Sequence, residues 1–149
     1  TDRVNSLFEN KVILVEGPTE TVFFDMCCNT DNYPVINTIG KFKIPYFKIF
    51  LEDILGIEVF VMYDKDDEDE DKHLAFNTWI KNNCANYLEL NKDLESELGY
   101  TLKSNERSQK PQIFMEKLLN NEINQESTNL KSKIQSEYNR KDSPVQLQN

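Results

Sequence analysis

The stretch KVILVEGPTE, Lys11 to Glu20, restricts what this chain can fold into more than any other. Val12, Ile13, Leu14 and Val15 show no polar alternation, so a strand made of them must be covered on both faces, as in a parallel sheet between helices. The run ends in Glu16; Gly17 then permits a sharp turn, and Pro18 suits a first helical position, where its missing N–H costs nothing. Glu20 falls in the first helical turn, near the positive end of the helix dipole, so two glutamates flank one strand-to-helix turn. In open α/β sheets such turns lie at the carboxyl ends of the strands, where ligands bind. A second apolar run, Val59 to Tyr63, also ends in carboxylates, at Asp64 and Asp66.

The intervening segments alternate in type. Phe23, Met26 and Cys27 predict a helix over about 19–29, stopped by the polar stretch from Asn29 to Asn32. Pro34 to Ile39 reads as a second strand, closed by Gly40 and followed by Lys41 and Lys43; a glycine with two lysines at a strand end suits a phosphate contact, but a solvated turn before a helix is the expectation. Ile44, Phe47, Leu51 and Ile54 recur as one helix face, with Gly56 as its C-terminal cap. Leu74, Phe76, Trp79 and Ile80 predict a helix to about Asn83, Tyr87 to Leu90 a short fourth strand, and Gly99 to Ser108 a loop. Pro111 opens a helix through Ile113, Phe114, Leu118 and Leu119. This order implies an α/β fold, a mostly parallel four-stranded sheet with helices on both faces.

A length of 149 residues favours one domain. The expected division is an N-terminal extension or end of a preceding domain over 1–10, a catalytic unit over 11–121, and a polar C-terminal helix with a disordered tail over 122–149. The last helix is read at about Glu126 to Tyr138. Thr1 rather than methionine opens the chain, which points to a processed chain or a piece of a longer one. No apolar run approaches the roughly 20 residues needed to cross a bilayer. Cys27, Cys28 and Cys84 form no C-x-x-C pair, so a thiolate zinc site is not supported, and a reducing cytoplasm is the expected location. Cys27 and Cys28 are read as buried, inert thiols.

Residues 64–71, seven acids against one lysine, carry −6 of the net charge of −9. Such a patch repels phosphate unless divalent cations occupy it, and then it becomes the place where phosphate is held. Glu16, Glu20, Asp64 and Asp66 are therefore the candidate constellation, a set of hard oxygen donors suited to one or two Mg²⁺ or Mn²⁺ ions. If the strand geometry continues past Asp64, Asp66 projects to the same side as Asp64. A calcium loop starting at Asp64 fails, because its sixth position is Asp69 rather than glycine and its twelfth is Ala75 rather than glutamate. Neither G-x-x-x-x-G-K-[ST] nor G-x-G-x-x-G occurs. His73, the one histidine, is read as an exposed bystander beside the acids.

VEG at 15–17 after an apolar strand, GK at 40–41 and DKD at 64–66 together resemble the Toprim domain of topoisomerases, bacterial primases and the OLD (overcoming lysogenization defect) nucleases. VEGPTE, with Glu20 four residues after Glu16, is most similar to the OLD nucleases. The resemblance spans about Lys11 to Leu119. It implies a four-stranded parallel sheet, two-metal cleavage of DNA, and an ABC-type ATPase domain N-terminal to this one, in a protein that forms homo-oligomers and acts in phage defence. It also implies that Glu16, Glu20, Asp64 and Asp66 are metal ligands, Glu20 serving the second ion, with Glu95 of LNKDLES as a further one. A catalytic lysine beyond the last strand would be Lys110, with Lys103 and Lys117 as alternatives there, and Lys41, after the second strand, as another cation able to offset transition-state charge.

Two other classes compete with a metal-dependent nuclease. A phosphoacceptor receiver domain would use Asp64 as the phosphorylated residue, but it wants adjacent acids ending its first strand, whereas Gly-Pro-Thr separates Glu16 from Glu20. A non-catalytic interaction module would keep the sheet without needing the acids at 16, 20, 64 and 66.

Overall fold

The structure, a computed structural model, describes residues 11–29 and 31–140. The expectations for 1–10 and 141–149 therefore lie outside the described residues. Four strands, β1 (Val12–Val15), β2 (Val35–Asn37), β3 (Val59–Asp64) and β4 (Asn86–Leu90), form one sheet in the order β2-β1-β3-β4. Every pair is parallel, with Leu14 aligned to Ile36 on one side and Val61 on the other, and Asp64 aligned to Leu90. All four residues of β1 are fully buried, as a run without alternation requires.

The helices are α1 (Pro18–Cys27), α2 (Ile44–Ile49), α3 (Asp71–Asn83), α4 (Leu94–Glu97), α5 (Lys110–Leu119) and α6 (Asn124–Tyr138). They divide the core in two. Ile13, Val15, Phe60 and Met62 pack on Phe23 and Phe24 of α1, Phe114 of α5, and Leu130 and Ile134 of α6. The alternate residues Val12, Leu14, Val59, Val61 and Tyr63 face Ile44 and Leu51 from the α2 region and Phe76 and Ile80 of α3. The sheet is thus sealed on both faces, and its strand ends are the place where polar groups can gather.

Some segments differ from expectation for identifiable reasons. Beyond α2 the chain continues as a π-helical turn, Phe50–Ile54, in which the Leu55 N–H donates to the Phe50 carbonyl (3.2 Å). A π turn adds residues per turn, so the apolar face loses register and Ile54 ends 68% exposed. The loop from Gly99 contains a 3₁₀ segment, Ser104–Gln109, and α3 begins at Asp71, inside the acidic run. α6 buries Leu130, Ile134 and Tyr138 in the same core as β1, so a boundary after residue 121 does not divide the packing. Lys11 Nζ donates to the Tyr138 carbonyl (2.6 Å), and the Tyr138 hydroxyl donates to the Lys11 carbonyl (2.9 Å), clipping the end of α6 to the start of β1.

Leu14→Ala and Leu130→Ala should each destabilise the protein by about 2–5 kcal/mol through lost burial and a residual cavity. Leu119→Ala, at a site 71% exposed, should change stability by less than about 0.5 kcal/mol. Urea unfolding midpoints measure all three; a negligible Leu130→Ala effect would mean that α6 is an appendage and not part of the core.

Candidate metal centre

β1 and β3 are hydrogen-bonded neighbours whose following connections diverge, to β2 on one side and β4 on the other. Their carboxyl ends therefore border the switch point of the sheet, where a crevice opens. Glu16 follows β1 directly, and Gly17 starts α1 with Pro18 at its first position. A Cβ at Gly17 would approach Glu20 Oε2 to 3.3 Å, so glycine leaves room for that carboxylate. Glu20 is 8% exposed in the first turn of α1. From β3, the Asp64 N–H donates to Glu16 Oε2 (2.8 Å). One carboxylate oxygen each from Glu16, Glu20 and Asp64 lie within 4.8 Å of one another.

Burial, then neighbouring charge, resists ionisation of this cluster. Burial pushes Glu16 up to about 7; the Asp64 N–H opposes the rise, and the Glu20 charge adds to it. Asp64 is pushed up to about 10 by burial and then by Glu16 and Glu20. Glu20 is raised by burial and also by the charge of Glu95. Three carboxylates this close, one buried and two half-buried, need protons or a cation between them. The buried Asp64 Oδ1 has no hydrogen-bond partner among the described residues, so one ligand atom is left open. An all-oxygen anionic donor set with an open atom fits a hard divalent cation.

Asp66 stands outside that cluster. β3 ends at Asp64, and Asp66 takes a left-handed backbone (φ 58°) with its N–H donated to the Lys92 carbonyl (2.9 Å), so strand geometry does not continue and the side chain turns aside. Its Oδ2 pairs with Lys41 Nζ (3.0 Å). Lys41 is 6% exposed, and it also donates to the Asp64 carbonyl (2.6 Å) and lies 3.2 Å from His73 Nδ1. The solvated turn expected at Lys41 is instead a buried cation tying the β2 exit to the β3 exit. His73 has a side chain only 15% exposed and packs against the Phe42 ring, so it is no exposed bystander. Glycine-lysine at a strand end was the available signal for Lys41; its burial depended on a partner 25 residues away.

Glu95, on α4, is 4% exposed and pairs with Lys110 (3.3 Å), the first residue of α5. Burial works against the Lys110 charge, but Glu95, Asp64 and Glu20 outweigh it and raise its pKa. Lys103 is exposed at the start of the 3₁₀ segment, and Lys117 pairs with Glu122 (3.9 Å). Of the lysines beyond β4 considered, Lys110 is the one within the field of the cluster. Cys27 and Cys28 are half-buried, and burial raises both thiols, Cys28 to about 11, which keeps them protonated.

The raised carboxyl pKa values have a definite stability consequence. As pH rises, the unfolded chain loses these protons first, near the usual value of about 4, whereas folded Glu16 holds its proton to about 7 and Asp64 to about 10. Metal-free stability is therefore highest below the unfolded pKa and falls as pH rises through that window. Asp64→Asn should flatten the fall and raise the melting temperature at about pH 8. Mn²⁺ should raise the wild-type value by mass action and the variant's less. Identical pH profiles for wild type and Asp64→Asn would mean that the acids are solvated.

Residues 7–66 match the family model for the overcoming lysogenization defect protein-like TOPRIM domain. The match runs through Glu16, Glu20 and Asp64 and ends at Asp66; β4, Glu95 and Lys110 lie beyond it. No curated protein and no solved structure matches the chain. Toprim domains bind divalent metal and act in nucleic-acid cleavage, which agrees with the carboxylate cluster at the strand ends. Over residues 7–66, then, the chain is similar to an OLD-like Toprim domain.

Proposed function

We propose that this chain is the catalytic domain of a divalent-metal-dependent DNA endonuclease of the OLD type, hydrolysing phosphodiester bonds. The observation that carries the reading is the cluster of Glu16, Glu20 and Asp64, buried or half-buried, with Asp64 Oδ1 left without a hydrogen-bond partner among the described residues. Mg²⁺ or Mn²⁺, two ions in this reading, would supply an activated water and charge stabilisation at the leaving oxygen. Glu16 and Asp64 would hold the ion between β1 and β3, and Glu20, a helical turn further on, would chiefly serve the second. Asp66 and Glu95 are outer members of the set: their charges act on Glu16 and Glu20, while their oxygens engage Lys41 and Lys110. Lys110, oriented by Glu95, would offset negative charge developing on the phosphoryl oxygens.

With a net charge of −9, the domain lacks the basic surface that holds a duplex. In this reading an ABC-type ATPase domain precedes it in the full protein, and DNA affinity comes largely from that region and from homo-oligomer partners. A role in phage defence and a cytoplasmic location belong to the same reading. Among the described residues no helix is long and apolar enough to cross a membrane.

Plasmid cleavage by the full-length protein in Mg²⁺ or Mn²⁺ tests the proposal. Glu20→Gln should nearly abolish cleavage while one ion still binds by calorimetry. Lys110→Ala should keep metal binding and slow the chemical step by about 10²-fold or more. Wild-type cleavage by Glu20→Gln would refute the two-ion scheme.

A further inference from the structure

Next to the carboxylate cluster lies a half-open cavity of about 70 Å³, whose lining includes Lys92, Asp93, Glu95, Tyr100, Arg107 and Lys110. That is several times the space one water needs, enough for a tetrahedral oxyanion. One wall comes from the segment after β4 and the other from the 3₁₀ segment leading into α5. The cavity shares Glu95 and Lys110 with the surroundings of Glu20, and the Lys92 carbonyl accepts the Asp66 N–H. It therefore opens along the same strand ends as Asp64.

Its two acids are already committed. Asp93 accepts the Ser96 N–H (2.8 Å) as a helix cap, and Glu95 pairs with Lys110 (3.3 Å). Its remaining cations are not: among the described residues, the exposed side chains of Lys92 and Arg107 make no ion pair. The buried Tyr100 hydroxyl has no hydrogen-bond partner among the described residues either. In a chain this acidic, two uncommitted cations and an unpartnered hydroxyl on one cavity make a site for an anion.

We infer that this cavity receives a phosphate of the nucleic-acid strand adjacent to the scissile one, held by Arg107 and Lys92 with the Tyr100 hydroxyl as a further donor. A guanidinium fork matches two phosphate oxygens, whereas the lysine acts as a point charge. Such a contact carries no base information; it sets the register of the strand over Glu16, Glu20 and Asp64. It also offsets the repulsion that the acidic run exerts on an approaching backbone. Arg107 and Lys92 are thus positioning residues. The assignment to a nucleic-acid strand rests on the nuclease reading.

The test is a metal-free chemical-shift titration of the whole chain with 5′-phosphorylated thymidine dinucleotide and, separately, with inorganic phosphate. The dinucleotide should shift the amides around Lys92, Tyr100 and Arg107 and bind more tightly than inorganic phosphate. Arg107→Ala should weaken it about ten-fold, as for loss of one charge-assisted contact, and Arg107→Lys should recover part of that. The slope of log affinity against log salt should fall by about one in Arg107→Ala. Arg140→Ala, at a site that does not line the cavity, should change nothing. Calorimetric Mn²⁺ binding should be identical in wild type and Arg107→Ala. No dinucleotide binding, wild-type affinity in Arg107→Ala, or lost Mn²⁺ binding in that variant would each overturn the inference, and equal affinity for inorganic phosphate would overturn the strand assignment. Failure of the nuclease reading would show separately, as no Mn²⁺-dependent cleavage by a protein that still binds the dinucleotide.

Discussion

The hydrogen bond from the Asp64 N–H to the Glu16 carboxylate, 2.8 Å across the ends of β1 and β3, is the contact on which the rest of the arrangement depends. It is made by a backbone group of one strand and a side chain of its neighbour, so it forms only when the two central strands pair in register. That register is held by a core built on both faces, with β1 fully buried. The apolar packing thus supplies the force that keeps acids together against their mutual repulsion. Where a surface carboxylate would simply move away, these have nowhere to go without unthreading a buried strand.

Lys41 resolves a second electrostatic problem a few ångströms off. Its ammonium meets the Asp64 carbonyl, the Asp66 carboxylate and His73, and it lies 5.1 Å from the Phe76 ring centroid. A single buried cation fixes the chain leaving β3 and turns the first residues of the acidic run away from the cluster. The two halves of the site are consequently unlike: one is anionic and lacks a counter-charge, the other is internally neutralised. On the far side, Glu95 and Lys110 repeat the neutralised pattern. Glu16, Glu20 and Asp64, between these two pairs, have no ion-pair partner of their own among the described residues, which is what a cation site needs.

Much of this was legible from the sequence, because strands buried on both faces announce themselves as unbroken apolar runs. β1, β3 and the meeting of Glu16, Glu20 and Asp64 followed from two such runs ending in acids, while β2 and β4 came from shorter apolar stretches and the parallel sheet from the alternation of strands with helices. The fate of Asp66 was not legible. Two residues after a strand, its direction depends on whether the strand continues, and that was decided by the Lys92 carbonyl and Lys41, both distant in sequence. The core role of α6 was hidden for a different reason: Leu130, Ile134 and Tyr138 form a narrow stripe in a segment whose other residues are polar. The π turn after Phe50 has no composition signal at all, and it displaced Ile54 from a face that its spacing had assigned to the core.

The reciprocal clip between Lys11 and Tyr138 has a consequence for architecture. The polypeptide enters β1 and leaves α6 at one pole of the sheet, while the acids occupy the other, a strand's length away. Closely spaced entry and exit points are what let a domain be inserted or fused without disturbing its interior. Whatever lies on either side in a longer chain is tethered at the pole remote from the acids. The edge that carries the acids is thereby left clear of both connections to the rest of the polypeptide.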